Sequence, residues 1–357
     1  MKKGSLSGHA MVPLAIIALF SAQPVVAKAT GAEVIRAVDG TLTVRWQAAG
    51  PVDVLVANDP KAPVKTAQVV SAADLDGTYV DTAGATEARR FFTIRDRRDG
   101  SVVRVAERVL PLEQGSNFRD IGGYQAAGGK TIRWGTIYRS GATPLLTAQD
   151  QARIRALGLR NMIDLRSDEE RVLAPSKIDG VAYSAIGYQM GTMMNTGAAM
   201  RNGAALYHNF PKFFAPQLKV IFEKLKRNEG PLAFNCSAGQ DRTGFASAMV
   251  MSALGVPREV IVRDYLLSTE YRRPQFELPR INPELHKDNP VALMFARYQD
   301  APGADKPQPL LEADGTPYLA GAFAEIETKW GSVDNYLRDE IGLTAQDIAA
   351  LRRNYLE

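Results

Sequence analysis

The chain has 357 residues, of which 45% are hydrophobic and 23% charged, with a formal net charge of +4. This is an ordinary composition for a folded soluble protein, long enough for two domains and free of internal repeats or low-complexity tracts. Lys and Arg are interleaved with acids rather than gathered into one stripe, which argues against a nucleic-acid partner and fits a basic cleft for anionic substrates.

Lys2 and Lys3 followed by the apolar run Met11 to Ala22 have the pattern of an export signal. Val25 and Ala27 supply the small residues of a cleavage site, so residues 1–27 read as a signal peptide cut after Ala27. The run falls short of the ~20 residues that span a bilayer, and no stable membrane anchor is expected. The expected location is the periplasm or the exterior. Exported proteins use cysteines in pairs, yet this chain has one, Cys236, which can form no intrachain disulfide. An odd thiol is either buried and inert or reactive by purpose.

Residues 28–112 read as a small β-sandwich. Thr41-Leu42-Thr43-Val44-Arg45-Trp46 alternates apolar and polar residues, and Val52 to Val56 does so in part. Phe91 to Arg95 and Val102 to Val105 flank Asp99-Gly100, a hairpin signal. The strand Trp and the order of turns resemble a fibronectin type III module. No partner for this unit is read from its sequence.

From residue 113 to 357 strands and helices alternate, which predicts an α/β domain with a parallel-rich sheet and flanking helices. Gln149 to Leu157 has helical spacing with Thr147 as N-cap, and Arg160 to Leu165 reads as a buried strand. Leu206 to Lys226 reads as one helix, Pro231 to Asn235 as a second buried strand and Gly244 to Leu254 as a small-residue helix. Residues 275–318, rich in Pro, Asn and Asp, read as a loop excursion.

The informative segment is Asn235-Cys236-Ser237-Ala238-Gly239-Gln240-Asp241-Arg242-Thr243-Gly244. A loop wrapped at a helix N-terminus between a strand and a helix points successive backbone N–H groups inward, a cradle for a tetrahedral dianion. Gly239 permits the tight backbone, and Arg242 can grip two phosphate oxygens. The same positive field favours a Cys236 thiolate, an in-line nucleophile for a bound phosphate. Ser237, Ala238, Gly239, Gln240 and Thr243 line the cradle, with Thr243 placed to hydrogen-bond the sulfur. Chance pairing of Cys and Arg is the alternative, but the strand, the glycine and the apolar helix around them oppose it.

This arrangement resembles the cysteine-dependent protein tyrosine phosphatase superfamily. Asn117-Phe118-Arg119-Asp120-Ile121-Gly122-Gly123, Ile137-Tyr138-Arg139-Ser140 and Ile163-Asp164-Leu165-Arg166-Ser167 narrow the resemblance to its bacterial secreted tyrosine and lipid phosphatases. Val260 to Leu266 and Gly331 to Arg338 are similar to that family too. The resemblance implies hydrolysis of a phosphorylated protein or small phosphomonoester through a cysteinyl phosphate, with no metal or cofactor. Two positions depart from it: Asn235 stands where many members have His, and Gln240 where many have Lys, a residue associated with phosphoinositide substrates.

An acid must protonate the leaving group. Asp241, inside the loop, is favoured; Asp164, at a strand end, is the other candidate. Arg119, Asp120, Arg139 and Arg166 support the loop or widen its basic mouth, with an ion-paired scaffold as the alternative for Arg119 and Asp120. A rhodanese-like sulfurtransferase and a phosphate-binding module without catalysis are the competing readings; Arg242-Thr243-Gly244 opposes the first, and retention of Cys, Arg and both Asp the second.

Overall fold

The computed structural model describes residues 1, 28–85, 89–176, 178–190 and 203–357. The expected signal peptide, apart from Met1, lies outside the described residues. Among them, no helix is long and apolar enough to cross a membrane.

Two antiparallel sheets form the N-terminal unit. Strands β1 (Thr30–Arg36), β2 (Leu42–Gln47) and β5 (Thr78–Asp81) make one sheet. The other has the order β4 (Gln68–Asp74), β3 (Val52–Ala57), β6 (Phe91–Asp96), β7 (Val102–Ala106). The period of two explains β2: Leu42, Val44 and Trp46 are buried while Arg45 and Gln47 are exposed. Val44 and Trp46 pack with Val54, Val56, Phe92 and Ile94 between the sheets. The β6–β7 hairpin closes at Gly100, whose φ of +73° only glycine adopts readily.

The second unit is built on a five-stranded sheet of order β11 (Ala182–Ala185), β10 (Asn161–Asp164), β12 (Leu232–Asn235), β9 (Ile137–Ser140), β8 (Arg119–Asp120). All pairs but β8–β9 are parallel. Register puts Asp164 beside Asn235 and Asn235 beside Ser140. The carboxyl ends of three central strands are therefore level, and the loops that follow them meet at one edge, where α/β sheets bind ligands.

Helices cover the sheet. The first two are α1 (Ala148–Ala156) and α2 (Asp168–Leu173), each opened by a capping box, Thr147 with Asp150 and Ser167 with Glu170. The single helix expected over Leu206 to Lys226 is three: α3 (Ala204–Tyr207), α4 (Phe210–Phe213) and α5 (Ala215–Arg227). Pro211 and Pro216 explain the breaks, since neither can donate the backbone bond that would carry one helix into the next. Next come α6 (Arg242–Ala253), buried along nearly its whole length, α7 (Arg258–Leu266) and α8 (Ser268–Tyr271).

The 275–318 segment is not the loop excursion its composition suggests. It contains α9 (Ala292–Asp300), and Ala292, Ala296, Val291 and Ile281 pack with Leu173 and Met190 in a small apolar cluster. The i, i+4 spacing of two alanines is a faint signal among polar residues, and the cluster forms only because α2 supplies its other side. Three helices close the chain, α10 (Leu319–Trp330), α11 (Val333–Asp339) and α12 (Ala345–Tyr355).

One arginine rivets the two units. Arg89 donates to Asp120 Oδ2 at 2.5 Å, Tyr138 Oη at 2.9 Å and the Glu107 carbonyl at 2.5 Å. It also lies over the rings of Phe91 and Trp134, and Trp134 joins the sandwich core and donates its indole N–H to the Arg104 carbonyl at 3.1 Å. Removing the guanidinium leaves a buried carboxylate without its countercharge. Arg89→Ala is expected to destabilise the protein by about 3–5 kcal/mol in urea denaturation, against less than ~1 kcal/mol for the exposed Arg97→Ala.

Candidate active site

Cys236 follows the last residue of β12, and the loop from Ser237 to Asp241 leads into α6. What decides this loop is where its carbonyls go. The Ser237 carbonyl accepts from Ala142 N at 2.9 Å. The Ala238 and Gly239 carbonyls accept from Asn117 Nδ2 at 3.1 and 2.9 Å, and Arg139 Nη2 reaches Gly239 O at 2.8 Å. With no cis peptide bonds here, each N–H points opposite the carbonyl of its peptide. The amides of Ala238, Gly239 and Gln240 are thereby turned to the inside of the loop.

Gly239 is required twice over. Its φ is +68°, and an added Cβ would lie 2.4 Å from Gly141 N and 2.5 Å from Ser140 C. Asn117 also sits at positive φ, +57°, a conformation that Asn tolerates better than most residues.

Behind the loop lies a buried charge cluster. Arg119 Nε and Arg139 Nη1 share the Asp264 carboxylate at 3.2 and 2.6 Å, and all three side chains are no more than 1% exposed. Tyr124 Oη adds a hydrogen bond to Asp264 at 3.0 Å. Burial alone would raise the Asp264 pKa, but the two guanidinium charges hold it well below the usual carboxylate range. Arg139 is pushed down to about 10 by burial and by its neighbour Arg119, and so remains charged at neutral pH. Two cations on one anion leave a net positive charge beside the loop. Arg119 belongs to this scaffold, and Asp120 to the Arg89 contact.

Arg242 opens α6. Its Nη1 and Nη2 donate to Glu170 Oε2 and Oε1 at 2.6 and 2.7 Å, and Nη1 also donates to Tyr188 Oη at 2.8 Å. Ser237 Oγ donates to Glu170 Oε1 at 2.6 Å, so one carboxylate holds both ends of the loop. Among the described residues no acceptor is bonded to the Arg242 Nε. The Nε–Nη2 edge, with two parallel N–H groups, is left for a bidentate ligand. Burial works against the Arg242 charge, yet the Glu170 carboxylate raises its pKa well above the ordinary value. Glu170, which burial would raise, is instead lowered to about 2 by Arg242 and Ser237.

Glu170 is not singled out by the sequence motifs. Its one sequence signal is the Ser167-x-x-Glu170 capping box, which places it at the third residue of α2 with Oε2 accepting Ser167 N at 2.8 Å. A cap is a local feature, and only the fold brings α2 against the loop.

Over the loop lies a cavity of about 630 Å³, lined by Ser237, Ala238, Gln240, Asp241 and Arg242 on its floor. Leu206, Met190, Leu278 and Phe295 make apolar walls, and Arg272 and Glu277 join them from the segment after α8. Of the two candidate carboxylates, Asp241 faces this cavity and Asp164 does not. Asp164 is fully buried; Arg166 Nε and Nη2 grip it at 2.9 and 2.6 Å, and Tyr183 Oη donates to it. Arg166 is equally buried and also donates to the Ala174 carbonyl, so it neither binds at the cavity nor widens its mouth. The Asp-Leu-Arg stretch at the end of β10 closes on itself as an internal ion pair. Thr243 does not make the contact with sulfur expected of it, since its buried Oγ1 has no hydrogen-bond partner among the described residues. Cys236 itself is a free thiol, 1% exposed.

The depressed Glu170 pKa makes a pH prediction. Between about 2 and the ordinary Glu value of ~4.3 the unfolded chain binds the proton that the folded chain refuses. The stabilisation is therefore complete above that window and is lost as pH falls through it. Glu170→Gln is expected to flatten the slope of unfolding free energy against pH in this range, read by urea titrations from pH 2 to 5.

Comparison with known proteins agrees with the geometry. A sequence model of the tyrosine phosphatase family matches residues 110–357. A Cupriavidus necator protein, provisionally named a tyrosine-protein phosphatase, is 34% identical over 263 residues, covering 69% of this chain and 88% of that protein. The tyrosine-protein phosphatase of Nostoc commune is 29% identical over 221 residues, covering 58% and 69% of the two chains. The triple specificity protein phosphatase PtpB of Mycobacterium tuberculosis is 28% identical over 272 residues, covering 65% and 93%. A family match over more than half of the chain makes this protein a phosphatase enzyme that belongs to the tyrosine phosphatase family.

Proposed function

We propose that this phosphatase is exported and hydrolyses phosphotyrosine in proteins through a cysteinyl-phosphate intermediate on Cys236. The observation that carries the reading is the open Nε–Nη2 edge of Arg242 beside a loop whose amides face inward over Cys236. A phosphate seated there meets the guanidinium and the amide dipoles together.

The Cys236 thiolate attacks phosphorus in line, the bond to the leaving oxygen breaks, and Asp241 gives that oxygen its proton. Water then attacks the phosphocysteine, Asp241 takes a proton from that water, and the sulfur–phosphorus bond breaks to return the thiolate and release phosphate. The positive charge of Arg242, Arg139 and the loop amides stabilises the equatorial oxygens in flight.

The apolar walls supplied by Leu206, Met190, Leu278 and Phe295 suit an aryl ring. Phosphoserine and phosphothreonine are weaker candidates on that ground. Phosphoinositides carry further phosphates that need unpaired cations near the loop. The two further arginines that line the cavity are both paired: Arg272 is tied by Nε and Nη2 to Glu277 at 2.9 and 2.8 Å, and Arg280 to Asp300. Export rests on the pattern of residues 2–27.

Cys236→Ser is expected to keep the fold and phosphate binding while turnover falls by roughly four orders of magnitude. Near wild-type hydrolysis of p-nitrophenyl phosphate by that variant would sink the covalent route. Asp241→Asn is expected to lower kcat/KM for phenyl phosphate by roughly a hundred-fold or more, and that for p-nitrophenyl phosphate much less, since p-nitrophenolate leaves without help. A larger leaving-group effect from Asp164→Asn would transfer the acid role to Asp164.

A further inference from the structure

Asp241 stands at the N-cap position of α6 but does not cap it; no helix amide is bonded to its side chain. Its carboxylate is engaged elsewhere. Tyr207 Oη, from α3, donates to Oδ1 at 2.6 Å, and Gln240 Nε2 approaches the same oxygen at 3.4 Å. Among the described residues no donor reaches Oδ2. One oxygen is clamped and the other is unbonded, on a residue that lines the cavity.

Each clamp is itself oriented. Tyr207 and Tyr265 hydroxyls lie 2.8 Å apart. Tyr207 has one proton and gives it to Asp241, so Tyr265 must donate to Tyr207. Gln240 has an amide that could point either way. Its Oε1 accepts from Arg272 Nη1 at 2.7 Å, which turns its NH₂ end to Asp241. Arg272 is held by Glu277, and Glu277 by Ser116 Oγ at 2.7 Å. A chain of oriented groups thus runs from the segment after α8 into the loop.

We propose that Tyr207 and Gln240 are positioning residues that clamp Oδ1 of Asp241 and so present Oδ2, carrying the proton, to the leaving oxygen. This rests on the reading of Asp241 as the acid. The arrangement suits both halves of the reaction: an uncharged carboxylic acid accepts two hydrogen bonds at its carbonyl oxygen while Oδ2–H donates. Once the proton has gone to the leaving group the same two donors stabilise the carboxylate, which then takes a proton from the attacking water at Oδ2. A lysine at position 240 would have no acceptor to receive the Arg272 N–H and would face it as a like charge; glutamine satisfies Arg272 and Asp241 at once. Neither Tyr207 nor Gln240 needs to touch substrate for this.

The test is the ratio of kcat/KM for phenyl phosphate to that for p-nitrophenyl phosphate, with inhibition by inorganic phosphate measured alongside. Tyr207→Phe removes one hydroxyl without changing shape, and Gln240→Leu removes the amide from a partly exposed position. Each is expected to lower the ratio roughly ten-fold, and the double variant to fall no further than Asp241→Asn, because all act through one group. If Asp241→Asn lowers the ratio while both variants leave it at the wild-type value, the clamp is refuted and Asp241 remains the acid. If Asp241→Asn does not alter the ratio, the acid reading itself fails. An equal loss on both substrates, with weaker phosphate inhibition, would assign the two residues to holding the loop and overturn the proposal.

Discussion

The loop after Cys236 can face its amides inward only if its carbonyls are satisfied outside, and that requirement organises most of the second unit. Three carbonyls, of Ser237, Ala238 and Gly239, need donors on the outer face. A buried carbonyl without one costs about 1–3 kcal/mol. Ala142, Asn117 and Arg139 supply the donors, and each must be fixed in turn. Arg139 is a cation with no exposure to water, tolerable because Asp264 shares its charge with Arg119. Strands β8 and β9 and helices α7 and α8 are thus arranged around a loop that none of them contains.

The charge balance behind the loop is uneven, and the imbalance serves the site. Arg119 and Arg139 exceed Asp264 by one, whereas Arg242 is balanced by Glu170. Pairing fixes Arg242 on one edge while leaving the other to a ligand. An arginine held in place loses less side-chain freedom on binding than a mobile one, so the ion pair serves pre-organisation as well as stability. Lysine could not do both, because its single ammonium has no second edge.

The segment after α8 and the sandwich play different parts. The first is structured, carries one wall of the cavity and reaches the loop through Arg272 and Gln240. Among the described residues the sandwich contributes none to that cavity; it meets the second unit through Arg89, Asp120 and Trp134. Its attachment to Asp120 lies next in sequence to Arg119, so the interface and the charge cluster share one short strand, β8.

Much of this was legible beforehand. Alternation in β2, the Asp-Gly hairpin, the Thr147 cap and the strand–loop–helix around Cys236 are local patterns, and local backbone preference together with one-sided burial is enough to produce them. The backbone of the cysteine loop was legible for the same reason: its inward-turned amides are consecutive in the chain. What the local patterns could not decide were partners distant in sequence. Whether Asp164 meets Arg166 or a substrate, which carboxylate holds Arg242, whether Pro211 and Pro216 divide a helix, and that 275–318 folds into a wall all depend on which elements pack together. The sequence by itself determined the chemistry on offer, because residue types and short spacings carry it. The tertiary structure alone decided which groups are neutralised and which are left free, because a buried charge takes its state from neighbours that only folding brings within reach.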